Sequence, residues 1–174
     1  IYFDKLISEA LYNYSYQWDQ AINRYLLEGD KYFYTSDFDK YYKRYGSTIE
    51  IAIQNIVTKI KLIDKCFLEL APRYQNDKQI FYRGMKGPYY INYDKKIKAN
   101  RIGDIFIVNN FSSISSSLSI AKSFSKINTT GCCIYEIYLD KNLPYIDMQL
   151  TTKFKREKEF LLPRNIKFEI TDII

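Results

Sequence analysis

The sequence predicts an α+β fold with helices first and short strands after. Three observations carry this. Residues 2–28 and 49–70 place apolar side chains at the three- and four-residue steps of a helix. Beyond Pro72 the apolar runs shorten and are separated by Gly, Pro and Asn, the pattern of strands and tight turns. The two patterns are segregated along the chain rather than alternating, which argues against a doubly wound parallel sheet.

Taken in order, Phe3, Ile7, Leu11, Tyr14, Trp18, Ile22 and Tyr25 form one helical stripe, with Gly29 as its stop signal. A Tyr-rich polar stretch follows, in which residues 37–42 suggest a short helix before Gly46. Ser47-Thr48-Ile49-Glu50 reads as a capping box with Ser47 as the cap. It opens the clearest helix of the chain: Ile49, Ile53, Ile56, Ile60, Ile63, Phe67 and Leu70 recur in steps of four and three until Pro72. That stripe is core material rather than a cofactor box. Residues 79–84 read as a strand, 85–103 as loop with room for a short helix, and 104–108 as a strand. Asn109-Asn110 marks a turn into a serine-rich run, and residues 118–124 form a short helix. Strands are expected over 132–139, 143–147, 160–162 and 166–173. No repeat or low-complexity linker breaks the chain, so residues 1–174 read as a single domain, helical over 1–72 and β-rich over 73–174.

The bulk composition narrows the chemistry. The chain is long enough for one real core, and 47% hydrophobic residues argue against disorder. Net charge is +6 and the pI near 9.0, but Lys and Arg are scattered, so nucleic-acid binding is weakly indicated. A basic, Tyr-rich module stacking on single strands is the competing class; against it, the aromatics follow helical core spacing. There is no histidine, which excludes Ser-His-Asp and Cys-His nucleophiles and His-bearing metal sites. Cys66, Cys132 and Cys133 are odd in number and form no C-x-x-C, so neither a disulfide framework nor a zinc site is expected. Buried free thiols, suited to a reducing compartment, are the expectation. No apolar run approaches the ~18 residues that span a bilayer. No signal-peptide pattern opens the chain, and its first residue is Ile1, so it reads as a trimmed piece.

One stretch stands out chemically: Arg156-Glu157-Lys158-Glu159-Phe160-Leu161-Leu162-Pro163. It reads as a loop entering a strand, and residues two apart on a strand share a face. Two carboxylates side by side raise each other's proton affinity or need a cation between them. Such a wall is costly unless a cationic ligand or transition state uses it. The same mixed-charge segment also reads as a solvated turn.

Three elements line up in order: Phe81-Tyr82-Arg83-Gly84, Phe111-Ser112-Ser113-Ile114-Ser115 and Glu157-Lys158-Glu159. Gly103-Asp104 precedes the serines, Ala121 and Phe124 follow them, and Glu159 leads into Phe160-Leu161-Leu162-Pro163. The ordered set, spanning residues 48–174, resembles the R-S-E class of mono-ADP-ribosyltransferases, which includes actin-modifying bacterial binary toxins and vertebrate ecto-transferases. The resemblance implies a mixed, mostly antiparallel two-sheet core around an NAD cleft. It implies NAD⁺ as co-substrate without a metal, a protein acceptor such as a host protein, and a secreted or delivered toxin or effector acting in a reducing host cytosol. Ser113-Ile114-Ser115 departs from the family's Ser-Thr-Ser, and the serine-rich run leaves the register open. Anchoring on Phe111 makes Ser113 the key serine, with Ser115 the alternative.

Carried over residue by residue, the resemblance makes Glu159 the carboxylate beside the ribose, facing an oxocarbenium-like centre as in glycosidases. Glu157 lies toward the acceptor, where a Glu goes with arginine as the modified side chain and a Gln would suit Asn or Cys. Arg83 and Gly84 contact pyrophosphate, the fork matching phosphate and the glycine letting backbone approach. Ser113 orients Glu159. Phe111 and Phe124, more often core than ligand contacts, are assigned to the cofactor, and Phe154 to recognition of the protein substrate. NAD⁺ hydrolysis and a Ser or Thr acceptor remain the close variants.

Overall fold

Helix α1 (Lys5–Asn13) is capped by Asp4, whose carboxylate accepts the Leu6 amide at 2.8 Å. The path continues through a π-helical turn, Tyr14–Trp18, into α2 (Asp19–Glu28). The stripe read as one helix is therefore a helix with a widened turn in its middle, which re-aims the residues beyond it. Ile7, Ala10, Leu11 and Tyr14 are buried before or at that turn, and Ala21 and Ile22 after it. Gly29, at φ 67°, ends α2 in a conformation that favours glycine.

This computed structural model describes residues 4–75, 78–85, 101–125, 133–151 and 155–172. Helix α3 (Ser36–Tyr41) is capped by Thr35, whose Oγ1 accepts the Phe38 amide at 3.2 Å. Helix α4 (Ile49–Lys65) buries Ala52, Ile56, Ile60 and Ile63 and runs on as a π turn, Cys66–Leu70, which ends two residues before Pro72. Its cap is Thr48, not the expected Ser47: Thr48 Oγ1 accepts the Ile51 amide at 3.3 Å. The Cys66 thiol is fully buried, and burial pushes its pKa up to about 11. Cys133 departs from the expectation, being exposed on a strand, and Cys132 lies outside the described residues. Among the described residues no helix is long and apolar enough to cross a membrane.

The strands are β1 (Ile80–Met85), β2 (Ile105–Val108), β3 (Ser112–Ser115), β4 (Cys133–Tyr138), β5 (Ile146–Asp147), β6 (Glu159–Leu162) and β7 (Ile166–Glu169). They form an antiparallel sheet in the order β4-β1-β3-β6-β5 and a separate antiparallel ribbon, β2-β7. The strand expected over 143–147 shrinks to β5, preceded by a single bridge from Pro144 to Arg73, because Pro144 has no amide to extend a ladder. Most of the loop expected over 85–103 lies outside the described residues.

The larger sheet separates two apolar clusters. On one side Phe111, Ile146, Met148 and Leu161 join the helical residues Leu11, Tyr14, Ile22, Phe38, Ile56 and Ile63. On the other, Phe81, Ile114, Ile137 and Leu162 pack with Ile166 and Phe168 of the ribbon. Tyr14, Tyr32 and Tyr45 are buried among the helices, so much of the aromatic content is core. Period-two alternation along β6 sends Leu161 to the helical side and Phe160 and Leu162 to the other. Ser113 pairs with Leu161, and Ser115 with Glu159, so all three polar residues look toward the helices.

Two contacts fix the frame. Helix α5 (Leu118–Ser125) lies against β1 so closely that a Cβ on Gly84 would collide with the Ala121 carbonyl and the Ser125 amide. Arg164, in the β6–β7 turn, grips Asp64 of α4 with two donors, Nε to Oδ1 at 2.9 Å and Nη2 to Oδ2 at 2.7 Å.

Candidate active site

Only one of the two paired acids lies on a strand, which corrects the sequence expectation. Glu159 is the first residue of β6, whereas Glu157 ends a 3₁₀ turn, Lys155–Glu157. Between them Lys158 adopts φ 46°, a left-handed conformation that disfavours a side-chain-bearing residue by about 1–2 kcal/mol. Such strain survives where surrounding bonds enforce it. Here Ser115 Oγ donates to the Glu157 carbonyl at 2.8 Å and itself accepts the Ser117 amide at 3.1 Å. The Ser116 amide reaches the Lys158 carbonyl at 3.4 Å. Strand β3 thus holds the acidic turn from the end of its serine run.

The two candidate serines do different things. Ser113 donates its hydroxyl to the Glu159 carboxylate, while Ser115 is occupied with the turn backbone. Pairing across an antiparallel ladder explains this: Ser115 stands opposite Glu159, and Ser113 is its diagonal neighbour on the same face.

Burial pushes the Glu159 carboxyl up to about 7; the Ser113 bond opposes the rise, the charges of Glu157 and Asp19 add to it, and the Arg83 guanidinium opposes it. Glu157 is also raised, first by burial and then by Asp19. Arg83 follows Tyr82, which pairs with Ser115 on the neighbouring strand, and its charge acts on Glu159 and on Tyr14. Arg83 and Ser113, distant in sequence, and the neighbouring Glu157 therefore each act on Glu159.

The remaining expected contacts distribute differently. Gly84 has a packing reason of its own, the close approach of α5. Phe111 is fully buried, its ring edge-on to Tyr14 at 5.8 Å and stacked with Phe67 at 5.9 Å, so no ring face is left for a ligand and it supports the site from behind. Phe124 is on the exposed side of α5. Phe154 lies outside the described residues.

Sequence reading missed the helical contribution. Tyr14 is wholly buried, its hydroxyl raised by burial and within the field of Asp19, Glu159 and Arg83. Asn23 Nδ2 donates to Tyr14 Oη at 3.0 Å, and Asn23 Oδ1 is sealed from solvent with no partner among the described residues. Asp19, at the start of α2, acts on both glutamates. The available signal was Asp19 and Asn23, four apart around Ile22, interrupting an apolar stripe. A small depression lined by Arg73, Tyr74, Phe81, Tyr145 and Phe160 contains none of these groups.

Chemically, Glu159 is a largely buried carboxyl held by one hydroxyl, with two further acids raising it and one guanidinium opposing them. A positive centre arriving beside Glu159 would return its carboxyl to the ionised form, so the arrangement is matched to charge that develops during a reaction.

A family model described as "ADP-ribosyltransferase exoenzyme" matches residues 7–174. No curated protein sequence matches the chain. Among solved structures, the ADP-ribosyltransferase Vis of Vibrio splendidus, in complex with agmatine, is similar at 21% identity and TM-score 0.66, over 99% of this chain and 70% of that one. The ATR domain of Salmonella SpvB is 28% identical with TM-score 0.62, over 99% and 82%. An ADP-ribosyltransferase of Clostridium botulinum is 18% identical with TM-score 0.62, over 98% and 80%. The fold they share, N-terminal helices on an antiparallel core, is the one described above.

Proposed function

The chain belongs to the ADP-ribosyltransferase exoenzyme family, and from that premise we propose that it transfers ADP-ribose from NAD⁺ to an arginine side chain of a protein, releasing nicotinamide. The observation that carries the reading is Glu159: a buried carboxylate bonded by Ser113, with Glu157 and Arg83 acting on it.

In this mechanism Arg83 binds the pyrophosphate of NAD⁺ as a planar fork. The bond from ribose C1′ to nicotinamide breaks, its electron pair leaving with nicotinamide, and positive charge spreads over C1′ and the ring oxygen. Glu159, oriented by Ser113, accepts a hydrogen bond from a ribose hydroxyl and stabilises that charge as an anion. Glu157 holds the incoming guanidinium and takes the proton released when its nitrogen bonds C1′. The products are ADP-ribosyl-arginine, nicotinamide and a proton. Agmatine, named in the Vis complex, carries the same guanidinium head, which supports an arginine-type acceptor without extending Vis's properties to this chain. The family and its toxin relatives also support a delivered effector meeting a host protein.

The test is incubation with labelled NAD⁺ and either agmatine or an arginine-rich protein. Labelled ADP-ribose on the guanidinium is expected from the native chain and not from Glu159→Gln. Nicotinamide release with no transfer to any side chain would favour a glycohydrolase, and label on Ser or Thr a different acceptor class.

A further inference from the structure

We propose that the depression lined by Arg73 and four aromatic rings is a second binding site, for a flat aromatic ring that carries one carboxylate. The inference goes beyond the transferase reading and does not depend on it.

The depression lies on the ribbon side of the larger sheet. Phe160 follows Glu159 along β6 and packs with Phe81 and Tyr74 in the cluster that faces away from the helices. The space has a volume of about 200 Å³. An apolar cavity of about 150 Å³ takes one benzene ring, and pockets for larger molecules run to several hundred. The depression therefore suits one ring or a fused pair and is too small for a dinucleotide. Its rim is fixed by backbone bonds between two segments. The Tyr74 amide donates to the Leu143 carbonyl at 2.9 Å, the Asn142 amide to the Tyr74 carbonyl at 2.9 Å, and the Tyr145 amide to the Pro72 carbonyl at 3.1 Å. A rim held this way needs little further ordering when a ligand enters.

Four rings form a closed circuit around this space. Tyr74 meets Phe81 at 5.8 Å and Tyr145 at 6.0 Å between centroids, and Phe160 meets Phe81 at 5.2 Å and Tyr145 at 5.9 Å. The interplanar angles run from 48° to 82°, so no pair in the circuit is stacked. Tyr74 and Phe81 are buried, but Tyr145 and Phe160 are only half-buried. An aromatic guest can meet such rings edge-on or offset-stacked. The ordinary explanation is the margin of an apolar cluster. That does not account for the polar side of the depression, where Arg73 and Gln79 line the same space as the rings. Arg73 is exposed, and among the described residues no ion pair joins it to an acid. A guanidinium is a planar fork that grips a carboxylate through two parallel bonds. The Gln79 amide adds donors on the same side, whereas Gln75 Nε2 is already given to Asn142 Oδ1 at 3.3 Å. Among the described residues one cation lines the depression, so one negative charge balances it.

The experiment titrates the native chain with indole-3-carboxylate, followed by NMR at the side-chain amide of Gln79 and by calorimetry. A Kd on the order of 0.1 mM is expected, the strength open to a ligand of about a dozen heavy atoms. Indole, which lacks the charge, and cyclohexanecarboxylate, which lacks the flat ring, should each bind about tenfold more weakly. Arg73→Gln should raise the Kd for indole-3-carboxylate about tenfold and leave nicotinamide release from NAD⁺ unchanged. Saturating NAD⁺, added to the Glu159→Gln chain, should not displace the probe. Displacement by NAD⁺ would put the probe in the catalytic cleft and overturn the proposal. So would a Kd unmoved by Arg73→Gln, or a Gln79 amide that does not shift at millimolar probe. Should Arg73→Gln melt far below the native chain, the three probes on the native chain decide: weaker binding of both indole and cyclohexanecarboxylate supports the site, and equal binding of either overturns it.

Discussion

Glu159 and Glu157 are two residues apart but are held by different means. Glu159 belongs to the sheet: strand register opposes it to Ser115, Ser113 fixes its carboxylate, and burial dominates its charge. Glu157 belongs to a turn, kept in place by one serine hydroxyl and a left-handed lysine. A group fixed by a ladder inherits the rigidity of the fold, whereas a group on a turn can be re-aimed by changing a few loop residues. In the proposed reaction this separates the step common to any acceptor, opening the glycosidic bond, from the step that chooses the acceptor.

The largest effects should break the strand side. Glu159→Gln is expected to slow nicotinamide release by about a thousandfold, the scale of losing a transition-state electrostatic partner. The same change should stabilise the fold at alkaline pH. The folded carboxyl titrates near 7, above the ordinary value of 4.5, so its contribution to stability is fully present below about 4.5 and lost as pH rises through 7. Glutamine removes that penalty, worth up to about 3 kcal/mol. Thermal melts at pH 8 should show the gain, and melts at pH 4 should show nearly none. An inactive variant with no such pH-dependent gain would mean Glu159 is not held in a dry setting.

Next in size is the turn side. Glu157→Ala should reduce transfer to arginine by about a hundredfold while nicotinamide release falls less than about tenfold, since the charge it loses faces the acceptor. Equal losses in both assays would erase the distinction between the two acids. Smaller again are the serines, each losing a bond worth about 1 kcal/mol. Ser113→Ala should move the acid limb of nicotinamide release to higher pH, because the bond that lowers Glu159 is gone. Ser115→Ala should leave that limb near its native position and lower transfer through a loosened turn. Lys158→Gly should have the smallest effect on stability, within about 1 kcal/mol, because relief of left-handed strain is offset by a more flexible unfolded chain. Its melting temperature should barely move, and its ratio of transfer to release should fall.

What could be read from the sequence follows the range of the interactions involved. The stripe of α4 and the apolar tail of β6 rest on local periodicity and are visible in the residues themselves. The cap of α4 slipped by one residue, because Ser47 and Thr48 offer the same hydroxyl chemistry and only backbone geometry chooses between them. A loop or solvated turn was one reading of the segment around Lys158, but its left-handed residue and the bond that holds it were not legible, because that bond comes from Ser115, 42 positions from Glu157. The two serines could not be assigned without the ladder to β6. Gly84 was read toward a ligand, though its missing side chain makes room for α5. Asp19 and Asn23 drew no reading from the sequence, because the charge of Asp19 reaches the two glutamates, and Asn23 reaches Tyr14, only in the folded chain.

Phe111, Ile146, Met148 and Leu161 complete the helical cluster from the sheet side, so one apolar cluster of the described residues draws on both sides of Pro72. Heat should dismantle helices and strands in one transition. A fragment ending after α4 would leave an oily face uncovered, and the Asp64 carboxylate would lose its grip on the far end of the chain. Loops at the rim can be swapped freely under this plan, but neither half can be exchanged for a stranger's without recutting the whole boundary.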